Sequence, residues 1–272
     1  MIRAQEAETK PSVGSVERAF AILEFLNSTK RGWNISEISR KLQIPKSTAH
    51  VLVSTLDQLG YIKHYESSRR FALSPKILKI GQNALKSNPL PQLALSHLYW
   101  LMQETKLTAH LGIVHENRVM FIQKVDGPGM IRFDTYVGKY SEVHCTGVGK
   151  AILAFQPDEK IESLLSAHSF DRFTRKTISS KTVFRAELSR VKQNGYSMDD
   201  EEEELGVRCI AAPILVGSTA LAAVSVTGTA TQIRAETMER MIALTKCAAG
   251  RIAASLPKDL GAFEFQSPAA AS

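Results

Sequence analysis

Cysteine is scarce in this chain of 272 residues. Cys145, Cys209 and Cys247 lie far apart with no CxxC pair, which excludes a disulfide framework and a zinc ribbon. Long apolar runs are missing as well: no stretch reaches the roughly 18 residues that cross a bilayer. The opening residues, Met1 to Glu6, hold no apolar segment of signal-peptide type. These absences lead to the expectation of a cytoplasmic protein with no membrane partner. No internal repeat is visible, and the one biased tract is an acidic run from Asp199 to Glu204. A hydrophobic fraction of 44% and a charged fraction of 22% belong to ordinary globular domains. The length allows one large domain or two of common size.

Net charge is absent from most of the chain. Residues 1–88 hold 14 Lys and Arg against 7 Asp and Glu, whereas residues 89–272 hold 20 of each. The whole excess of +7 therefore sits in the first third. A basic piece joined to a neutral one suits a nucleic-acid binder with a separate regulatory or catalytic half.

In the basic third, Ser15 offers a helix start, and Val16, Ala19, Phe20, Leu23 and Leu26 fall on one helical face. A short second helix is capped by Asn34 or Ser36 and carries Ile35, Ile38 and Leu42. Pro45 breaks it, and a third helix opens at Lys46 with Ala49, Leu52, Val53, Leu56 and Leu59 as its buried face. Gly60 closes that helix. The period then changes to strands at residues 61–65 and 70–73 around a polar turn. This order predicts a winged helix-turn-helix domain, mainly α with a β-hairpin wing. Lys46, Ser47, Thr48, His50 and Ser54 lie off the apolar stripe, where a groove-entering helix meets DNA. Arg69 and Arg70 stand at the wing turn, placed to reach the backbone or minor groove. The predicted partner is double-stranded operator DNA.

Beyond a helix from Lys76 to Leu85 and the linker-like Ser87–Pro91, the pattern alternates. A helix over residues 92–103 precedes a hairpin of residues 109–114 and 118–125, then a strand from Ile131 to Val137. Helices follow from Gly149 and from Arg185, then a second hairpin, 210–216 with 220–227, and a last helix over 231–256. Strands grouped with helices, without strict alternation, indicate an α+β fold.

The string 35-ISEISRKLQIPKSTAHVLVSTLDQLGYI-62, with 15-SVERAFAILEFL-26 before it, resembles the DNA-binding domain of the IclR family of bacterial transcription regulators. The likeness continues through 144-HCTGVGKAILA-154 and 195-GYSMDDEEEELGVRCIAAPI-214 to 220-ALAAVSVTG-228. One departure is Val51, where the family often has Arg. The resemblance implies a C-terminal α+β GAF-like effector-binding domain and, as partner, a small-molecule effector, often carboxylate-bearing. It implies a repressor of a catabolic operon more readily than an activator, working as a homo-oligomer, a dimer or a dimer of dimers. By matching motifs it implies that Gly147 and Val148 meet effector through their backbone. Asp199 then supplies a pocket acid, Cys209 a further pocket residue, and Ser225 and Thr227 a hydroxyl pair on one strand face. Met130, Phe133 and Val207 are expected as apolar walls.

The domain expectation is a tail over 1–12, the winged helix-turn-helix over 13–74, a linker helix and linker over 75–91, the effector domain over 92–257, and a tail over 258–272, both tails disordered.

Six converging acids would repel one another, so Asp199 is expected to point inward and Asp200 to Glu204 to face solvent or pair with surface cations. An enzyme would need Cys145 or Cys209 as nucleophile with His110, His115 or His144 as base, and neighbours on a strand point to opposite faces. The same histidines and cysteines lack diagnostic metal spacing. No catalytic residue, cofactor or metal is therefore expected. A protein-interaction adaptor with an incidental winged helix would bind without salt dependence or sequence preference.

Overall fold

The computed structural model describes residues 13–27, 29, 31–86 and 88–257. Both expected tails and Ser87 lie outside the described residues. The chain divides into two units between residues 87 and 88.

The first unit begins with α1 (Gly14–Leu26), α2 (Ile35–Lys41) and α3 (Lys46–Gln58). The antiparallel wing follows as β1 (Ile62–Tyr65) and β2 (Arg70–Leu73), and then α4 (Lys76–Lys86). Asn34 is the cap of α2: its Oδ1 accepts from the Glu37 amide at 2.9 Å, and its own amide donates to Glu37 Oε2 at 3.0 Å. That reciprocal pair satisfies two amides that would otherwise lack partners. Gln43 takes the left-handed conformation, φ 53°, in the turn, and Pro45 precedes α3. Ile22, Leu26, Ile38, Val53, Leu56, Ile62 and Phe71 form the core.

Three residues expected in this core lie outside it. Val16 and Phe20 are exposed because the small core reaches only the C-terminal half of α1. Leu59 is exposed although its backbone is still helical, because it caps the end of α3 and the small core does not extend to it.

The second unit comprises α5 (Leu90–Thr105), β3 (Thr108–His115), β4 (Arg118–Val125), β5 (Tyr140–Glu142), α6 (Gly147–Leu153), α7 (Asp158–Ala167), α8 (Lys181–Asn194), β6 (Ser197–Asp200), β7 (Val207–Val216), β8 (Thr219–Thr229) and α9 (Ala235–Ser255). One antiparallel sheet runs β5-β4-β3-β8-β7-β6. Helices α5 and α9 cover one face, meeting Ile210, Ala212 and Ile214 of β7. Helices α6, α7 and α8 cover the other, where Ala211 and Ala223 point. Burial on both faces is why the central strands are almost continuously apolar rather than alternating. A Cβ on Gly149 would overlap the Val143 backbone, so α6 lies directly against the β5–α6 connection.

The strand expected over Ile131–Val137 is absent, and the segment is irregular. The edge partner of β4 is β5 instead, with Arg118 opposite Glu142. Glycines with left-handed φ at 129 and 138 bracket the segment and break a ladder there. Its carbonyls are met by lysines: Lys124 Nζ donates to the Thr135 carbonyl at 2.6 Å. Helix α7 and strand β6 were not anticipated; Ser197–Asp200 lacks strand-forming residues and is held by pairing with β7. Among the described residues no helix is long and apolar enough to cross a membrane.

Candidate functional site

On the first unit, α3 presents Lys46, Ser47, His50 and Val51 to solvent, while Thr48 and Ser54 are half-buried. Ala49, Val53 and Leu56 hold the opposite side of the helix on the core. A polar, partly basic face standing on an anchored helix is what entry into a major groove requires. Arg69 is exposed at the wing turn, with φ 52°. Arg70 behaves differently. Its guanidinium donates to the Gly32 carbonyl at 2.9 Å and to Glu37 Oε2 at 3.2 Å. It ties the wing to α2, because the strand register turns it inward while Arg69 remains in the turn.

In the second unit a cavity of about 180 Å³ opens beside the start of α6. Gly147 and Val148 form part of its floor, with Asp199, Val207, Cys209 and Thr227 from the strands and Phe133 from the loop. Thr146, at the helix start, lines it as well, and so do Phe121, Asp134, Thr135, Lys139, Glu203 and Glu204, which the sequence had not marked. Thr146 caps α6: its hydroxyl accepts from the Gly149 amide at 3.2 Å and donates to the Glu142 carbonyl at 2.8 Å.

Two expected residues do not reach the cavity. Met130 is 98% exposed, carried outward by the irregular loop that replaces the expected strand. Ser225 does share its strand face with Thr227, yet it is fully buried further along β8, opposite Ala211 and behind Cys209, so it does not itself line the cavity.

Asp199 is 3% exposed and accepts from the Glu202 amide at 2.7 Å. Burial, reinforced by the neighbouring Glu202 charge, lifts its carboxyl to about 8 despite that amide. Near neutral pH it is therefore largely a protonated acid, able to donate a hydrogen bond into the cavity. Burial, with Asp199 close by, also pushes the Cys209 thiol up to about 12. Thr227 Oγ1 lies 3.4 Å from Cys209 Sγ and 3.4 Å from His110 Nδ1. Burial and then the Lys124 charge pull His110 down to about 3, so its ring is neutral; its Nε2 is 2.8 Å from Thr135 Oγ1.

The rest of the acidic run is divided: Asp200 and Glu201 pair with cations and Glu204 is exposed, as expected, whereas Glu202 and Glu203 turn inward. Asp200 and Glu201 pair with Lys176 at 3.1 and 2.7 Å, and Arg208 Nε donates to Asp200 Oδ1 at 2.6 Å. Glu202 is buried, with its Oε1 2.5 Å from the fully buried Lys150. Glu203 faces the cavity, and burial raises its carboxyl above the usual range. Thr174 and Thr177 donate to the Glu201 and Glu202 carbonyls at 2.7 and 2.6 Å, turning the run inward. Mutual repulsion is relieved by cations, Lys150 in the interior and Lys176 and Arg208 nearer the surface, and by protonation of Asp199.

Residues 82–254 match the family described as "Bacterial transcriptional regulator IclR C-terminal", and residues 15–64 match the "IclR helix-turn-helix domain". The HTH-type transcriptional regulator KdgR of Escherichia coli K12 is 29% identical over 257 residues, 94% of this chain and 97% of the relative. XynR of the same organism, also an HTH-type transcriptional regulator, is 32% identical over 204 residues, 75% of this chain and 81% of the relative. The crystal structure of Thermotoga maritima IclR is similar with a TM-score of 0.72 at 27% identity, over 89% of this chain and 98% of that one. A winged helix-turn-helix unit, an α+β unit with a cavity at its central helix, and matches over both units agree: the chain belongs to the IclR family of bacterial transcriptional regulators.

Proposed function

We propose that this regulator binds operator DNA through α3 and Arg69, and represses a catabolic operon until a small carboxylate-bearing metabolite occupies the cavity. Lys46, Ser47 and His50 are free to contact phosphate and base edges, with Thr48 and Ser54 at the margin. Val51, 62% exposed on the same helix, suits a thymine methyl rather than the guanine edge an arginine would read. Arg70 acts from behind, by fixing the wing.

The observation that carries the ligand assignment is the cavity itself. It combines a lysine, Lys139, with a protonated Asp199, the Thr227 hydroxyl and the aromatic rings of Phe121 and Phe133. A carboxylate seated near Lys139 keeps a charged partner, while Asp199 donates to a ligand oxygen instead of repelling it. Gly147 and Val148 allow backbone approach. Exposed Val16 and Phe20 on α1, with Leu78 and Ile80 on α4, support pairing of two copies, as a dimer or a dimer of dimers. A ligand then acts by preferring one arrangement of the oligomer, which changes the spacing of the recognition helices.

Catalysis is not part of this reading. Burial raises both the Cys145 and Cys209 thiols, leaving them unreactive, and His144 faces His168 rather than a thiol. The site of action is the cytoplasm, where operator DNA lies.

The reading is tested by selecting duplexes from a random library with the full chain, then titrating the winning duplex with small carboxylates. A carboxylate should release the duplex from wild-type protein, and Asp199→Ala, which removes the donor that Asn would retain, should blunt that release while operator affinity stays close to wild type. Failure to enrich any duplex, or a ligand response untouched by Asp199→Ala and Lys139→Ala alike, overturns it.

A further inference from the structure

Outside the cavity, three metal-ligating side chains converge where the β5–α6 connection meets the end of α7. Glu142 ends β5, His144 lies in the connection, and His168 directly follows α7. One ligand atom from each falls within 4.8 Å of the others. None of the three lines the cavity. The sequence spacing concealed the group, since His110 and His115 go elsewhere, to Thr135 and Tyr140, and His168 is 24 residues from His144.

The hydrogen bonding leaves a gap that a cation fills. His144 Nε2 lies 3.0 Å from the Asp171 carbonyl, which can only accept, so that nitrogen carries the proton. His144 Nδ1 then holds a lone pair, and it faces His168 Nε2 at 2.8 Å. If His168 donates there, its own Nδ1 is left with a lone pair directed at Glu142 Oε2, 4.0 Å away. A lone pair and a carboxylate then face each other with no proton between them, and the other neutral tautomer instead sets the His144 Nδ1 and His168 Nε2 lone pairs together. Water has little access: His144 is fully buried, and the His168 side chain is 5% exposed. Phe170 and Phe173 pack on the His144 ring.

The surroundings are also those of a metal site. Ligating histidines usually give their second ring N–H to a carbonyl or carboxylate, and His144 already does so. The other oxygen of Glu142 is held by Arg118 Nε at 2.9 Å, which orients the carboxylate. Metal–ligand bonds of about 2.0–2.2 Å place tetrahedral ligand atoms about 3.3 Å apart, so small side-chain rotations close the present spread. Two imidazoles and one carboxylate, without thiolate, select a divalent first-row transition ion over Mg²⁺ or Ca²⁺.

We propose that Glu142, His144 and His168 form a binding site for a divalent transition-metal ion such as Zn²⁺, separate from the effector cavity. The ion clamps the segment after α7 onto the connection leading into α6. That connection includes Thr146, whose hydroxyl holds the Glu142 carbonyl and which lines the cavity. The segment after α7 includes Thr174 and Thr177, which hold the acidic run. The ion therefore braces two walls of the cavity from behind.

Full-length, tag-free protein carrying Cys247→Ser, to remove the exposed thiol, is stripped with chelator and titrated with Zn²⁺ alone by calorimetry. One ion per chain is expected. His168→Gln and Glu142→Gln should each weaken it by more than about 100-fold, beyond the loss an outer-shell partner causes. His168 lies at the edge of the cluster, so its variant tests the site even if His144→Gln fails to fold. Zn²⁺ should raise the melting temperature of the parent protein and not that of His168→Gln. Bound Co²⁺ should show ligand-field bands without thiolate charge transfer. No stoichiometric uptake, wild-type affinity in both variants, or a thiolate band from Cys145 or Cys209 would overturn the assignment.

Discussion

Replacing Asp199 with Asn should stabilise the second unit, and the gain should depend on pH. Folding buries a carboxyl whose ordinary value is 3.8 in a place that lifts it to about 8. Between those values the folded protein keeps the proton and the unfolded chain releases it. The unfolded state then binds fewer protons, so wild-type stability falls as pH rises through this window and levels off above it. At about pH 7 the unfolded carboxyl lies roughly 3 units past its midpoint, worth about 4 kcal/mol at ~1.4 kcal/mol per unit. This figure depends little on the folded value, provided that value stays at or above neutrality.

Asparagine carries no proton to lose, and its Oδ1 can still accept from the Glu202 amide. Asp199→Asn should therefore gain little at about pH 4 and up to about 4 kcal/mol at about pH 7, an upper figure because the site can relax. Urea unfolding at several pH values measures the difference. Trp100 on α5 reports the second unit when Trp33, on the first, is changed to Phe. A difference that stays flat with pH, or an Asn variant less stable than wild type throughout, would refute the burial argument.

Lys46→Ala and Arg69→Ala should each weaken DNA binding and make its salt dependence shallower, by about one unit of slope per lost phosphate contact, measured by anisotropy across a salt series. Arg70→Ala should leave that slope unchanged. It should instead destabilise the first unit by about 1–3 kcal/mol through lost hydrogen bonds to Gly32 and Glu37, seen in unfolding followed at Trp33. Lys150→Met leaves the buried Glu202 without its cation and should cost about 3–5 kcal/mol; adding Glu202→Gln should recover much of the loss in a double-mutant cycle.

Legibility varied with how local the cause was. Helices α2 and α3 were readable because Asn34, Pro45 and the apolar stripe act within a few residues. The wing and the hairpin of β7 with β8 were readable from the change of period and the glycine turn at 217. Arg69 and Arg70 are indistinguishable as neighbours in a basic turn, and a contact across 38 residues sets Arg70 apart. Asp199, Cys209 and Thr227 were located through their motif context, and all three line the cavity. Lys139 carried no such mark, because its place at the cavity follows from how the loop after β4 returns to the sheet, and Phe121 read only as one more apolar residue of β4.

The uneven charge, the helical and strand periods and the short capping signals thus established a basic winged helix joined to a neutral α+β unit. Those signals act over one or two turns or one hairpin, so they survive in the bare order of residues. Which acids are buried was settled at longer range. Lys150 reaches Glu202 across 52 residues, and Thr177 reaches the same residue's carbonyl across 25. A run of carboxylates reads as a solvated surface until distant partners and desolvation are counted, and both exist only once the chain has folded around it.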